Sequence, residues 1–359
     1  MPELLLNHPV AGQGTRAAAG FGLLWPAGSI PARAFAEQGE CIRAVQALAA
    51  ELIQSPPGTP AEYIVRAAPL PEAALEPRRN LFSTLFQSVY FLLGIAAPRR
   101  RLYGQLTHLF RIWVTSADNL LDDEAKPVLP LILPRGGGQT MTQVLAVMTA
   151  DRILERLLSE AADAGTITPA QARRLSAGSL QVLLPSAALE ASEEGGIRER
   201  PPPEEVLKTI HRLKTGLLFN LPFFGPEICE AEQLDAVKVA TLKAALMEFG
   251  LGCQILDDIR DLARDWLEGR HNYLLSRLTV TGGPFWESLP GRGLRPEDRL
   301  YRDAPPEIVH PAVRQALALQ SGALTVLVRE GLDLSPAQVS ALPRLMLRLL
   351  DVEDLDDAG

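Results

Sequence analysis

The stretch from Gly250 to Ser276, GLGCQILDDIRDLARDWLEGRHNYLLS, constrains the fold more than any other part of the chain. Leu251, Cys253, Ile255 and Leu256 enter it as an apolar run, and Ile259, Leu262, Ala263 and Trp266 continue that run at helical spacing. Asp257, Asp261 and Asp265 recur every fourth residue, which sets three carboxylates in a row on one helix face. Neighbours at this spacing stand about 5–6 Å apart. Two unit charges at that distance repel by roughly 0.7 kcal/mol in water and on the order of 3 kcal/mol at an effective dielectric near 20. A solvated acidic face tolerates such a row, whereas a partly buried one needs its carboxylates protonated or bridged by cations. Here the acids are embedded in apolar residues, with Asp258 added and Arg260, Arg264 and Arg270 interleaved. Oxygen donors without His or Cys suit a hard divalent cation such as Mg²⁺, which keeps several waters and recruits phosphate oxygens. The ligand expected here therefore carries phosphate.

The helical period recurs along the chain. It predicts helices over 34–53, 80–94, 101–123, 140–163, 170–189, 204–221, 232–267, 306–330 and 336–350. Thr168-Pro169 and Ser335-Pro336 each read as an N-cap followed by a first-turn proline. No run alternates as a strand does, so the fold class is all-α. The expected organisation is an irregular segment over 1–33, one helical domain over 34–350 and an acidic tail over 351–359 that frays. A net charge of −8 leaves no electrostatic footprint for nucleic acid. Three cysteines, Cys41, Cys229 and Cys253, form no CxxC and no disulfide framework, which fits a cytoplasmic location. The N-terminus shows no basic region followed by an apolar core. The most membrane-like stretch, Leu81 to Ala97, is interrupted by Ser83, Thr84, Gln87 and Ser88 and reads as a buried core helix, so no transmembrane segment is expected.

A second acidic cluster closes the helix expected over 101–123, where Asp118 and Asp122 share a face within Asp118-Asn119-Leu120-Leu121-Asp122-Asp123-Glu124. Pro127, Pro130 and Pro134 then forbid helix, and Arg135-Gly136-Gly137-Gly138 reads as a plain loop, with no GxxxxGK to cradle a phosphate. Two such clusters some 140 residues apart, each on a long apolar helix, could face one another across a bundle interior.

In these motifs the chain resembles the isoprenoid synthase superfamily, and the polyprenyl synthetases within it. Asp118-Asn119-Leu120-Leu121-Asp122 is similar to their first DDxxD motif, with Asn119 in the second acidic place, and Asp257-Asp258-Ile259-Arg260-Asp261 to the second, preceded by Gln254. Lys214-Thr215-Gly216 is similar to their Lys-Thr segment, and Asp265-Trp266-Leu267-Glu268-Gly269-Arg270 to their Asp-x-x-x-Gly-Lys ending. Glu76-Pro77-Arg78-Arg79-Asn80 stands where the polyprenyl synthetases carry a GGKRxRP-like segment, and no Arg pair follows the first motif. The run from Gln254 to Arg270 also resembles the second motif of squalene and phytoene synthases, and Asp257, Asp261 and Asp265 fall at the ligand spacing of terpene cyclases.

The resemblance implies a single helical bundle around a central active-site cavity. Asp118, Asp122, Asp257, Asp258, Asp261 and Asp265 would hold two or three Mg²⁺ ions around an isoprenyl diphosphate. Lys214 and Arg270 would act on the diphosphate, with Arg212, Gln254, Arg78 and Arg79 beside them. For Arg260 and Arg264, an ion pair with a neighbouring acid is the better reading. Places four and five before the first aspartate line the chain pocket in the polyprenyl synthetases; here these are Val114 and Trp113, with Phe110 one turn deeper. Trp113 could equally pack between helices as a core aromatic. The leading expectation is an Mg²⁺-dependent prenyltransferase, active as a homodimer, that joins prenyl units. The alternatives are a terpene cyclase or lyase acting on one prenyl diphosphate, and a non-catalytic subunit of a heteromeric synthase.

Overall fold

The computed structural model describes residues 25–122, 126–134 and 138–358. Most of the segment expected to be irregular over 1–33 lies outside them, as do Asp123, Glu124 and the loop residues Arg135, Gly136 and Gly137.

The fold is all-α. Its helices, in chain order, are α1 Ile30–Leu52, α2 Leu81–Leu92, α3 Ala97–Leu121, α4 Gln139–Asp163, α5 Pro169–Gln181, α6 Leu184–Glu193, α7 Phe224–Cys229, α8 Ala236–Arg260, α9 Leu262–Glu268, α10 Tyr273–Thr281, α11 Gly283–Ser288, α12 Pro306–Arg329 and α13 Pro336–Leu349. A run over 203–223 changes from α to π turns (Val206–Ile210 and Arg212–Gly216) and then to 3₁₀ turns (Leu218–Phe223). Among the described residues the strands amount to one antiparallel pair, Arg66–Ala67 with Leu131–Ile132, too short to carry any alternation in sequence.

Local chemistry accounts for several boundaries. Ser29 accepts the Ala32 amide and starts α1 at Ile30, four residues ahead of the helix expected from periodicity. Thr168 and Gln171 form a capping box at α5, as do Ser335 and Gln338 at α13. The helix expected over 170–189 is in fact two, because the run breaks at Val182 and Leu183 ahead of Pro185. The tail also departs from expectation: residues Glu353–Ala358 wind into a 3₁₀ helix rather than fraying. Arg299 bonds Asp351 at 2.6 Å, Arg302 bonds Asp354 at 2.7 Å, and the Tyr301 hydroxyl donates to Asp354 at 2.9 Å.

The described residues fall into two compact units, one within 25–182 and 221–239 and the other within 183–220 and 240–358. In the first, α3 packs against α1 and α4 over a core that includes Val45, Tyr90, Leu106, Leu109, Ile112, Ile153 and Leu157. In the second, α8 is the buried centre, with Leu246, Phe249, Cys253, Ile255, Leu256 and Ile259 all out of solvent. Glycines let neighbours approach this helix closely. A Cβ on Gly250 would stand 2.5 Å from the Phe219 ring, and one on Gly252 would stand 2.7 Å from the Ala316 carbonyl of α12. By length and composition α8 could cross a membrane, but 72% of its apolar window is buried inside the protein, as in a core helix. The segment singled out in the sequence, α2, is likewise buried along most of its length.

Candidate active site

The carboxylate row lies in the second unit, where α8 runs into α9. Asp261 (φ −89°, ψ 17°) separates the two helices. Even so, the Asp261 and Asp265 amides still donate to carbonyls four residues back, at 2.9 Å each, so the helical path continues and the acids stay on one face. Asp257 is 6% exposed, and the row opens outward through Asp261 and Asp265, which are half-buried. Burial pushes Asp257 well above the ordinary aspartate value, and repulsion from Asp261 and Asp258 adds to it. Asp265 is raised to about 8 by burial and by Asp261 and Asp258, against the Asn272 hydrogen bond and the Lys214 charge. Positive charge beside Asp257 and Asp265 would favour their ionised forms. One such charge is Arg260, whose Nε donates to Asp261 at 2.7 Å and whose Nη2 bonds Asp257 at 2.5 Å and the second Asp261 oxygen. Its expected role as an ion-pair partner of its neighbours is what the structure shows. No cluster of three or more ligating side chains that could hold a metal ion is preformed among the described residues.

Asp258 points the other way. It is 2% exposed and accepts from His211 Nε2 at 2.6 Å, Gln254 Nε2 at 2.9 Å and the Tyr273 amide at 2.5 Å. Gln254 in turn accepts a short hydrogen bond from the Thr215 hydroxyl. His211 and Thr215 lie four apart on the π-turn run and meet Asp258 and Gln254, four apart on α8, as two rungs between the helices. Lys214, one residue off that face, meets α6 instead. Its Nζ stands 3.1 Å from Glu193 and 3.2 Å from Glu190, and all three side chains are buried. Burial opposes the lysine charge, but Glu190, Glu193 and, behind them, Asp265 outweigh it and raise Lys214 above its ordinary value. Asn272 caps α10 through the Leu275 amide and donates Nδ2 to the Asp258 carbonyl at 2.7 Å and to Asp265 at 2.8 Å. Arg270 pairs with Glu268 at 2.6 Å, and Arg212 is exposed on the π turn.

Sequence reasoning missed Glu190, Glu193 and Asn272 as parts of this site. The two glutamates carried a signal, being acids three apart on the short apolar helix α6. Asn272 directly precedes an apolar helical start, which is an N-cap signature.

The remaining expected residues lie in the first unit. Asp118 and Asn119 are buried at the end of α3, where Asn119 Nδ2 donates to the Lys126 carbonyl at 3.1 Å; Asp122, just beyond the helix, is half-buried. Arg78 bonds Glu76 at 2.6 Å, and the Arg79 carbonyl accepts from the buried Arg111 at 3.0 Å. Phe110 is buried edge-on between Trp113 (5.7 Å) and Phe224 (5.4 Å). The Trp113 indole donates to the Val147 carbonyl of α4 at 3.2 Å, and Val114 is buried beside it in sequence. An open groove of about 690 Å³ in the same unit, lined by Leu52, Ile53, Val65, Leu145, Met148 and Arg152, contains none of the expected site residues.

Solved structures of prenyl diphosphate synthases share this helical fold. A geranylgeranyl pyrophosphate synthetase from the archaeon Geoglobus acetivorans superposes with a TM-score of 0.53 at 16% identity, covering 86% of this chain and 98% of its own. The heptaprenyl diphosphate synthase from Staphylococcus aureus gives 0.55 at 14% identity, covering 88% and 98%. A geranylgeranyl pyrophosphate synthase from Lactobacillus brevis gives 0.55 at 19%, covering 86% and 96%. No family model and no curated protein sequence matches the chain.

Proposed function

We propose that the protein is an Mg²⁺-dependent prenyltransferase that ionises an allylic isoprenyl diphosphate and joins prenyl units. The observation that carries this reading is the row Asp257, Asp261 and Asp265: burial and mutual repulsion raise Asp257 and Asp265 in a chain with the isoprenyl synthase fold. The donor set is all oxygen, so the residues fit Mg²⁺ in kind. Bound there, Mg²⁺ would supply Lewis-acid stabilisation of the leaving diphosphate. Asp257, Asp261 and Asp265 would hold it in the second unit; for the first motif, the ligands the sequence suggests are Asp118 and Asp122. Asp258 would instead be a positioning residue, because three donors already engage it and fix the pitch of α8 against the π-turn run. Lys214, kept protonated by Glu190 and Glu193, would stabilise charge developing on the diphosphate. Leu246, Phe249 and the other apolar faces of α8 would exclude water from the allylic cation.

The test is to incubate the purified protein and Mg²⁺ with allylic diphosphates of two, three and four prenyl units, with and without isopentenyl diphosphate. Longer diphosphates support the proposal. A hydrocarbon or alcohol from one substrate indicates a cyclase, and silence counts against the proposal and favours a subunit. Asp118→Ala and Asp257→Ala should each lower turnover at least about a hundredfold, equivalent to roughly 2.7 kcal/mol. Near-wild-type turnover in either would sink the site assignment.

A further inference from the structure

Arg260 ends α8 with its side chain almost wholly buried, and it sits between two carboxylates of the row rather than beside one. Its Nε and Nη2 take both oxygens of Asp261 as a fork, while Nη2 also reaches Asp257 at 2.5 Å. A guanidinium cannot lose its charge at accessible pH, so this counter-ion leaves only by moving.

We propose that Arg260 couples diphosphate binding to divalent-cation binding by exchanging carboxylate partners for phosphate ones, an inference that rests on the Mg²⁺ reading above. With no anion present, Arg260 holds Asp257 and Asp261 together, and a metal that takes Asp257 Oδ1 or either oxygen of Asp261 competes with a charge-assisted hydrogen bond to a buried guanidinium. A diphosphate removes that penalty, because its oxygens offer the same planar fork a bidentate partner of higher charge. Released by Arg260, Asp257 and Asp261 turn to the cation. Each ligand then raises the affinity of the other, and the coupling is reciprocal. The arrangement keeps the acids compensated in the resting protein and makes the full ligand set available only when a leaving group is present.

Calorimetric titration of the whole protein with Mg²⁺, with and without saturating inorganic pyrophosphate at matched free Mg²⁺, reads this coupling without any turnover. Pyrophosphate should tighten Mg²⁺ binding to the wild type by about tenfold or more, within the usual range of site–site coupling. Arg260→Gln should bind Mg²⁺ alone about tenfold more tightly than the wild type and lose most of the pyrophosphate effect. Arg260→Lys keeps the charge without the fork and should fall between the two; it carries the test if the Gln variant does not fold. Wild-type Mg²⁺ affinity and coupling in both variants would overturn the exchange while leaving the metal site standing. If neither the wild type nor the variants bind Mg²⁺ with pyrophosphate present, the metal reading fails and this inference with it.

Discussion

Replacing Lys214 by methionine, which keeps the length and removes the charge, should destabilise the protein before it says anything about catalysis. The ammonium stands 3.1 and 3.2 Å from Glu193 and Glu190, and the three side chains are only 7%, 3% and 9% exposed. Without Lys214 two buried carboxylates face each other, and breaking a buried pair in this way costs about 3–5 kcal/mol. For a cooperative unit of about 160 residues with ~2.1 cal/mol/K of unfolding entropy per residue, that lowers Tm by about 10–15 °C. The pH dependence has a definite sign. Burial alone would raise Glu190, yet Lys214 holds it below its ordinary value, so its contribution is present above about pH 4.3 and is lost as pH falls through the lowered folded value. In the methionine variant burial acts on Glu190 without the lysine to oppose it, so the deficit is fullest near neutral pH and shrinks in acid. Urea unfolding at neutral and at acid pH measures the difference. Adding Glu190→Gln and Glu193→Gln to Lys214→Met should return most of the loss, because the buried charges go together. A loss under about 1 kcal/mol at neutral pH, unchanged by acid, would refute the ion-pair account of this residue.

Asn272→Ala removes a helix cap and the donor to Asp265 together and should cost about 2–4 kcal/mol; Asn272→Ser keeps the cap alone and should recover only about 1 kcal/mol of it in the same denaturation assay. Trp113→Ala should cost about 3–5 kcal/mol, with product length in the incubation assay unchanged, because the indole is bonded to α4 and packed on the core; longer products would make it a pocket residue instead.

The parts legible in the sequence were those whose signal is local. The carboxylate row could be read because its period is that of the helix it rides on, and the caps at Thr168 and Ser335 because side chain and amide lie three residues apart. The ligand role suggested for Lys214 came from a motif, but its pairing with Glu190 and Glu193 joins residues more than twenty apart, which no periodicity encodes. Asp258 and Asp257 are adjacent and look alike in sequence. Only the approach of His211 and the Tyr273 amide separates the anchored one from the one in the row. The tail read as a frayed acidic end because the arginines that hold it, Arg299 and Arg302, are some fifty residues away.

The glycines of α8 make that helix a stiff mount. Gly250 presses on Phe219 and Gly252 on the Ala316 backbone, so a side chain at either place must displace a ring or another helix. Gly250 lies seven residues before Asp257, about 10 Å along the axis at 1.5 Å per residue. Any tilt that relieves the clash arrives at the acids amplified by that lever arm. A substitution at either glycine would then re-aim the carboxylate row from a distance, in a protein that still folds.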